Sequence, residues 1–583
     1  MKNTLLFILF AVNSLVSVNS VWAKRPNIIV IMTDDQGIGD FGFANNSLAE
    51  TPNLDALYEG GVHLEQFYVS PVCSPTRACL MTGRYNYRTR CIDTYLGRSM
   101  MDTNEITIAE VLGAAGYRTG IFGKWHLGDN YPLRAVDQGF EESLIHKGGG
   151  LAQPSEPREN GRRYTDAILF HNGNQVQSKG YCTDVYFDAA IEFANKASAD
   201  GDPFFAYIPT NAPHGPFHDV PQELYEHYKQ KDFSSIMVRD LNEKQRQAEN
   251  DKLARIFAMI TNVDQNIGRL IKALKSAGQL DNTMIVYLND NGPNSARYVN
   301  GHRGSKATVL EGGVRSPLIV QWPSSIKPGT ASNQVGAHID LLPTIAEACG
   351  VKLAKGHEVD GMSLLTALTG EQRRTVERTL VIQSHRGNQP TRFHNFLIRK
   401  GDYKLVHPSG FGKESFEGEP QFELYNVVKD PSESNNLIGK EPKLARQLAD
   451  LYEQWFDDVS STRKDNYAPP RIVLGSQHDP IGVLTRQDWR DGTWASAANG
   501  YWLVSVDSAG AYNVKLVYDA AKTDESVKLE FGRSVIEDES SAGADELVFE
   551  NVQLVPGPQK VQATLTQGDK SRGPYQIIVT KVK

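Results

Sequence analysis

The stretch LARIFAMITNVDQNIGRLIKALKSAGQLDNTMIVYLNDN, residues 253 to 291, decides the fold. Its first part places Leu253, Ile256, Phe257, Ile260, Val263, Ile267, Leu270, Ile271 and Leu274 at helical spacing, and Gly278 then stops the run. Asp281-Asn282 turns the chain into the apolar run Met284 to Leu288, which ends in Asp290-Asn291. A helix feeding a strand that exits into a polar pair is one half of an α/β repeat.

The same grammar extends from Pro26 to about Val320, with further apolar runs at Asn27 to Met32 and Phe204 to Ile208. It predicts an α/β fold with a large mixed, mainly parallel central sheet flanked by helices. In such sheets ligands gather beyond the carboxyl ends of the strands. Polar clusters stand at three of those exits: Asp34-Asp35 after the first run, His214 after the second, and Asp290-Asn291 after the third.

Outward from this core the character changes. From residue 371 to 465 short strands (Leu380 to Gln383, Phe396 to Arg399, Tyr403 to Val406, Phe422 to Tyr425) precede a helix from Glu441 to Trp455, a smaller subdomain of antiparallel sheet and helix. Residues 466 to 483 read as a linker rich in proline, glycine and polar residues. Residues 484 to 583 alternate with a period of two, as in Tyr501 to Val506 and Tyr512 to Tyr518, and predict a β-sandwich or jelly roll that packs on the rest. Residues 1 to 23, with the apolar run Leu5 to Val16 and the processing-like Val21-Trp22-Ala23, read as a signal peptide, leaving 24 to 370 as the large α/β domain. The expected location is exported, periplasmic or secreted.

A chain of 583 residues with net charge -8 and no long basic block gives no support to nucleic-acid binding. No second apolar span of about 20 residues follows the first, so stable membrane insertion is not expected. The five cysteines, Cys73, Cys79, Cys91, Cys182 and Cys349, are too few for a disulfide framework. Oligomeric state is left open.

The candidate site residues have plain readings singly and a sharper one together. Cys73 alone could be a nucleophile, a small buried hydrophobe or half of a disulfide. Asp34 and Asp35 alone could be solvated turn residues; with Asp290 and the amide oxygen of Asn291 they make an all-oxygen set suited to calcium, or less readily magnesium, rather than zinc. Lys124 and His126, two apart, can share one side of an extended segment, where a cation and a proton-transfer group would suit an anionic ester. Arg77 lies one helical turn after Cys73. His214 follows Pro213, which restricts the backbone before it, and the ammonium of Lys306 could bind a sulfate or phosphate oxygen.

Taken together these residues resemble the type I, formylglycine-dependent sulfatases, arylsulfatase-like members of the alkaline phosphatase superfamily. The resemblance rests on Cys73-Ser74-Pro75-Thr76-Arg77 with Leu80-Met81-Thr82-Gly83-Arg84, on Gly123-Lys124-Trp125-His126-Leu127-Gly128, on Asp290-Asn291-Gly292, and on Glu311 to Pro317. Leu424-Tyr425-Asn426, Asp430-Pro431 and Asn436-Leu437 extend it to about residue 460. It implies that a separate formylglycine-generating or anaerobic sulfatase-maturing enzyme oxidises Cys73 to formylglycine (3-oxoalanine), whose hydrate attacks sulfur. It implies further that Asp34, Asp35, Asp290 and Asn291 bind calcium and that Arg77 and Lys124 hold the hydrate. His126 would take the second hydroxyl's proton, while His214 and Lys306 contact the sulfate and leaving oxygen. Three departures from the commonest pattern, Thr76 where serine is frequent, Asn289 before Asp290 and Ala307 after Lys306, leave the proposed polar atoms intact.

An exported sulfatase of this kind looks like a bacterial carbohydrate sulfatase acting on a sulfated saccharide or polysaccharide-derived oligosaccharide. Its leaving-group pocket would draw on Arg88, Arg90, Asp93, Arg98, His146, Lys147, His171, His385 and Arg386, polar loop residues that suit a hydroxylated glycan. Two competing readings are a phosphatase or phosphonate-type hydrolase of the same superfamily and a non-catalytic glycan-binding protein built on the β-rich tail. Cys73-Ser74-Pro75-Thr76-Arg77 favours the sulfatase over both.

Overall fold

A computed structural model describes residues 25–463, 465 and 467–582. The predicted signal peptide lies outside the described residues. Ten strands form the central sheet: β1 (Asn27–Thr33), β2 (Val62–Leu64), β3 (Arg118–Lys124), β4 (Glu142–His146), β5 (Ile168–His171), β6 (Asn174–Gln177), β7 (Phe204–Pro209), β8 (Thr283–Asn289), β9 (Leu318–Gln321) and β10 (Thr330–Ser332). Their order across the sheet is β10-β2-β9-β8-β1-β7-β3-β4-β5-β6. The five strands β8, β1, β7, β3 and β4 run parallel, and the flanks carry the antiparallel pairings. The sheet is therefore mixed and mainly parallel, as the sequence predicts.

Strand β1 explains why its sequence is a continuous apolar run rather than an alternation. Ile29 and Ile31 enter the core on one face, while Ile28, Val30 and Met32 enter the core on the other. A strand covered on both faces needs apolar residues at every position. Register then aligns the exits: Met32 lies beside Pro209 and Leu288, and Thr33 beside Asn289, so β1, β7 and β8 end at one level.

The helix read from Leu253 onward spans Glu243–Ser276 and begins in a capping box of Asn242 and Gln245. Its first turns face solvent, so they show no apolar period, and only the packed part was legible as a helix. The helix Cys73–Thr82 is buried along its whole length. Ala78, Leu80 and Met81 pack with the main sheet, while Cys79 packs with the next subdomain.

That subdomain is a four-stranded antiparallel sheet, Thr379–Gln383, Phe396–Lys400, Tyr403–His407 and Glu423–Asn426, covered by the helix Pro442–Ser461 through Leu448, Tyr452, Phe456 and Val459. Beyond it two mostly antiparallel sheets form the β-rich tail. The stretch expected as linker supplies part of them. Ile472–Leu474 pairs with Trp502–Val506, and Ile481–Thr485 pairs with Gln576–Lys581, so the sandwich begins at Ile472 rather than 484. The three-residue strand Ile472–Leu474, between Pro470 and Gly475, leaves no alternation to read. Leu96, Met100 and Leu133 of the large α/β region complete the tail's own core around Trp489 and Trp502. Among the described residues no helix is long and apolar enough to cross a membrane.

Candidate active site

The strand exits converge on the start of the buried helix that carries Cys73. One thiol and one oxygen each from Asp34 and Asp290 lie within 4.8 Å of one another, and Asp34, Asp35 and His214 form a second such group. Two of the site residues adopt left-handed backbone, Asp35 (φ 62°) and His126 (φ 60°). At Asp35 the reversal turns two neighbouring carboxylates into one pocket, which a regular strand would not allow. At His126 it overturns the expected extended segment: β3 ends at Lys124, and the chain bends before the imidazole.

Arg77 ties these pieces together. Its Nη1 donates to the carbonyl of Lys124 at 2.7 Å, and its Nη2 donates to Asp290 Oδ2 at 2.8 Å and lies 3.5 Å from Asp34 Oδ2. Lys124 Nζ donates to the same Asp34 oxygen at 2.5 Å. Asp35 Oδ1 accepts from Lys306 Nζ and, at 2.8 Å, from Asn291 Nδ2. Gly292, next in chain, donates its N–H to the Gly313 carbonyl at 3.0 Å, and a Cβ there would lie 2.0 Å from the Gly312 carbonyl oxygen. Gly292 is therefore required by this close backbone approach, and Gly312 and Gly313 by their own approaches to the Gly304 and Thr308 carbonyls.

Three buried oxygens are left without a hydrogen-bond partner: Asp34 Oδ1, Asp35 Oδ2 and Asn291 Oδ1. An unmet buried oxygen is costly, and unmet oxygens from two carboxylates and an amide are of the kind that suits a hard divalent cation. Three carboxylates here face three fixed cations, Arg77, Lys124 and Lys306.

Electrostatics separates the roles. Burial alone would raise Asp34, but Lys124, His214 and Arg77 outweigh it and hold its carboxyl well below the usual range. Burial and the neighbouring Asp34 charge push Asp290 up to about 7. Burial pulls the Lys306 ammonium down, yet Asp35 more than reverses this and keeps it charged. Burial raises the Cys73 thiol despite Lys124 and Lys306, so the free thiol is a poor nucleophile at neutral pH. His126 is held neutral by burial and by the Lys124 and Arg77 charges. Its Nε2 meets the Thr94 carbonyl at 2.8 Å, so Nε2 carries the proton and Nδ1, buried and unpartnered, is the free acceptor. Burial likewise lowers His214, whose Nδ1 donates to the Gly215 carbonyl at 2.6 Å and whose Nε2 lies 3.7 Å from Asp35 Oδ2.

Comparison with known proteins matches the chain to a family. A family model described as Sulfatase matches residues 26–351, and one described as N-sulphoglucosamine sulphohydrolase, C-terminal, matches residues 304–458. The chain belongs to the sulfatase family. It is a sulfuric ester hydrolase of the alkaline phosphatase superfamily. An N-acetylglucosamine-6-O-sulfatase of Bacteroides thetaiotaomicron is 27% identical over 523 residues, covering 76% of this chain and 88% of the relative. An N-acetylgalactosamine-6-sulfatase of Sus scrofa is 31% identical over 393 residues, 63% of this chain and 69% of that one. The crystal structure of Ps i-CgsB in complex with k-i-k-neocarrahexaose superposes with a TM-score of 0.63 at 27% identity, over 76% of this chain and 95% of that one. Neither family match reaches past residue 458 of this sulfatase.

The remaining sequence candidates separate into three groups. Asp93, Arg98 and Arg386 form one linked set: Arg386 Nη1 reaches Asp93 Oδ1 at 2.5 Å, and Arg98 Nη1 lies 3.6 Å from Asp93 Oδ2. This set adjoins the site directly, because Thr94 follows Asp93 and holds His126. Lys147 packs its ammonium over Phe170, and His146 is buried with Nδ1 on the Lys147 carbonyl. The others are engaged in structural pairings. Arg88 binds Asp360 and Asp458, Arg90 binds Asp102 and Asp465, and exposed His171 binds Glu142. His385 spends both ring nitrogens on the backbone of Arg386 and Thr391.

Residues absent from the sequence reading also shape the sulfatase site. Thr94 orients His126 through a backbone oxygen, which no side-chain motif could reveal. Buried Arg297 pairs with Asp40 and donates to the Asp35 carbonyl at 3.2 Å. Lys404, fully buried, bridges Glu311 and Glu433 at 2.8 Å each and fastens the smaller sheet to the Glu311-Gly312-Gly313 motif.

Proposed function

We propose that this sulfatase removes sulfate from a sulfated saccharide or polysaccharide-derived oligosaccharide, with formylglycine made from Cys73 and with calcium. The observation that carries the reading is the trio of buried, unpartnered oxygens on Asp34, Asp35 and Asn291 set beside Cys73, Arg77 and Lys124. The printed names of relatives, an N-acetylglucosamine-6-O-sulfatase and an N-acetylgalactosamine-6-sulfatase, and the neocarrahexaose held by Ps i-CgsB, support a sugar as the leaving group. An exported location, periplasmic or secreted, suits a glycan substrate met outside the cell. The proposed catalytic domain is the large region 24–370, completed by the smaller subdomain 371–465.

Asp34, Asp35, Asp290 and Asn291 would hold the calcium, which supplies positive charge to the sulfate oxygens. Conversion of Cys73 by a formylglycine-generating or anaerobic sulfatase-maturing enzyme supplies a hydroxyl nucleophile that the buried thiol does not. Arg77 and Lys124 offset the negative charge that an anionic ester brings. His126 Nδ1 accepts a proton from the group at position 73. His214 takes up a proton at Nε2 against the burial that lowers it, with the Asp35 carboxylate 3.7 Å away offsetting part of that cost, and delivers it to the leaving oxygen. Lys306 binds a sulfate oxygen.

The test is coexpression with a maturation system, mass spectrometry of the Cys73 peptide, and sulfate release from sulfated oligosaccharides beside matched phosphate esters. Modified Cys73 with sulfate release is expected. Normal sulfate turnover by unmodified Cys73, or phosphate turnover alone, would sink the reading.

A further inference from the structure

The β-rich tail reaches the catalytic histidine through one peptide group. The Thr94 carbonyl oxygen takes two donors, His126 Nε2 at 2.8 Å and Gln487 Nε2 at 3.2 Å. Gln487 is 1% exposed and belongs to the tail, outside both family matches. Its backbone carbonyl accepts the Gly97 N–H at 3.0 Å, and Arg490 Nη1 donates to the Leu96 carbonyl at 2.9 Å. Gly97 makes the approach possible: it sits at φ 69°, and a Cβ there would meet the Asp488 carbonyl oxygen at 3.0 Å.

Both ends of this clamp are rigid. On the tail side Asp488 N donates to the Thr485 carbonyl at 3.1 Å, and Trp502 Nε1 donates to that same carbonyl at 2.7 Å. On the other side the Thr94 N–H donates to Asp93 Oδ1 at 2.6 Å, which Arg386 also holds. The orientation of the Thr94 peptide decides which way the imidazole faces, because a carbonyl can only accept and so commits Nε2 as donor. With Gln487 removed, the carbonyl is held only by His126 itself, and the direction of the Nδ1 lone pair is no longer fixed from outside.

We propose that Gln487 of the β-rich tail is a positioning residue of the active site, holding the Thr94 carbonyl so that His126 keeps Nδ1 as its proton acceptor. The tail is thereby a working part of the enzyme rather than an appended module. The proposal rests on the reading of His126 as a proton-transfer residue.

The test uses the full-length matured enzyme. Gln487→Met keeps the bulk and removes the donor; Gln487→Glu keeps the shape and sets a carboxylate against the carbonyl. Both should lower kcat roughly 10- to 100-fold with KM within about twofold, the scale of misplaced proton-transfer groups. Val527→Ala, in the tail core on a strand that pairs with Ser534–Ser540 and Gly557–Gln567, measures what loosening the tail does by itself. It should lower the melting temperature and leave kcat near the parent value. In a His126→Ala background Gln487→Met should add nothing further. A parental kcat in Gln487→Met and Gln487→Glu, an equal fall in Val527→Ala, or full additivity with His126→Ala would overturn the proposal while leaving His126 in place. A His126→Ala enzyme of parental kcat would overturn the reading of His126 and the proposal with it.

Discussion

The hydroxyl of Thr76 donates to the backbone carbonyl of Asp290 at 2.7 Å, joining two motifs that lie 214 residues apart. The same oxygen accepts the Ser70 N–H at 3.0 Å. What this position requires is therefore a hydroxyl, and threonine meets the requirement as serine would. Thr76→Ser should keep activity within a few fold. Thr76→Val should leave the Asp290 carbonyl and the Ser70 N–H buried and unmet, at about 1–3 kcal/mol for each group. Thermal denaturation and sulfate release of the two variants check this, and a Thr76→Val protein indistinguishable from the parent would refute it.

Three unmet oxygens on Asp34, Asp35 and Asn291 predict a cation that stabilises the fold. A ligand that binds only the native state adds about 2.7 kcal/mol at 100 times its dissociation constant. Calcium titrated into the chelated protein should raise the melting temperature, and magnesium should do so less, since it sheds its waters reluctantly. Asn291→Leu should weaken the response by removing one oxygen. Equal melting temperatures with calcium, magnesium and chelator would count against the site.

The fold was legible where packing imposes a period, and the site where motifs stand at strand ends. β1, β7 and β8 are apolar runs because both faces of the sheet are covered, so their ends, and with them Asp34, Asp35, His214, Asp290 and Asn291, could be placed. Illegible was what backbone geometry decides. The left-handed turn at His126 breaks the extended spacing assumed for Lys124 and His126, and Thr94 acts through its carbonyl. Ion pairs made by Arg88, Arg90 and His171 depend on partners such as Asp360, Asp102 and Glu142 that only tertiary structure brings near. The strand Ile472–Leu474 is too short to carry a pattern of its own.

Lys404 joins the smaller sheet to the Glu311 motif as a buried cation between two carboxylates, all three inaccessible to solvent. Burial raises Glu311, but Lys404 and Arg315 outweigh it and hold that carboxyl below its usual range. Removing one partner of a buried ion pair costs about 3–5 kcal/mol because the charge left behind has no water to turn to. Lys404→Met should therefore destabilise strongly, and Lys404→Met with Glu433→Gln should recover part of the loss. Denaturant unfolding of the single and double variants reads this, and a single variant as stable as the parent would contradict the pairing.

Acid should destabilise the protein through histidines that have no room for a second proton. His338 is buried, with Nε2 facing Ser70 Oγ at 2.9 Å and Nδ1 accepting the Ile339 N–H at 3.0 Å. Burial, with Arg378 nearby, lowers it to about 3, and burial lowers His146 and His385 to about 3 as well. The unfolded chain takes up these protons near pH 6.5 while the native state refuses them, so the unfolded state binds more protons below that pH. Stability is then independent of these groups above about pH 6.5 and falls by up to about 1.4 kcal/mol per pH unit for each histidine down to about pH 3. Asp290, pushed up to about 7, gains stability over the same range and offsets part of this loss, so the histidine share is read by comparison: in denaturant titrations at pH 7 and pH 5, His338→Asn, which retains an acceptor for Ile339, should be less acid-sensitive than the parent by one histidine's share. A His338→Asn slope equal to the parent's would show that the native state accommodates this proton after all.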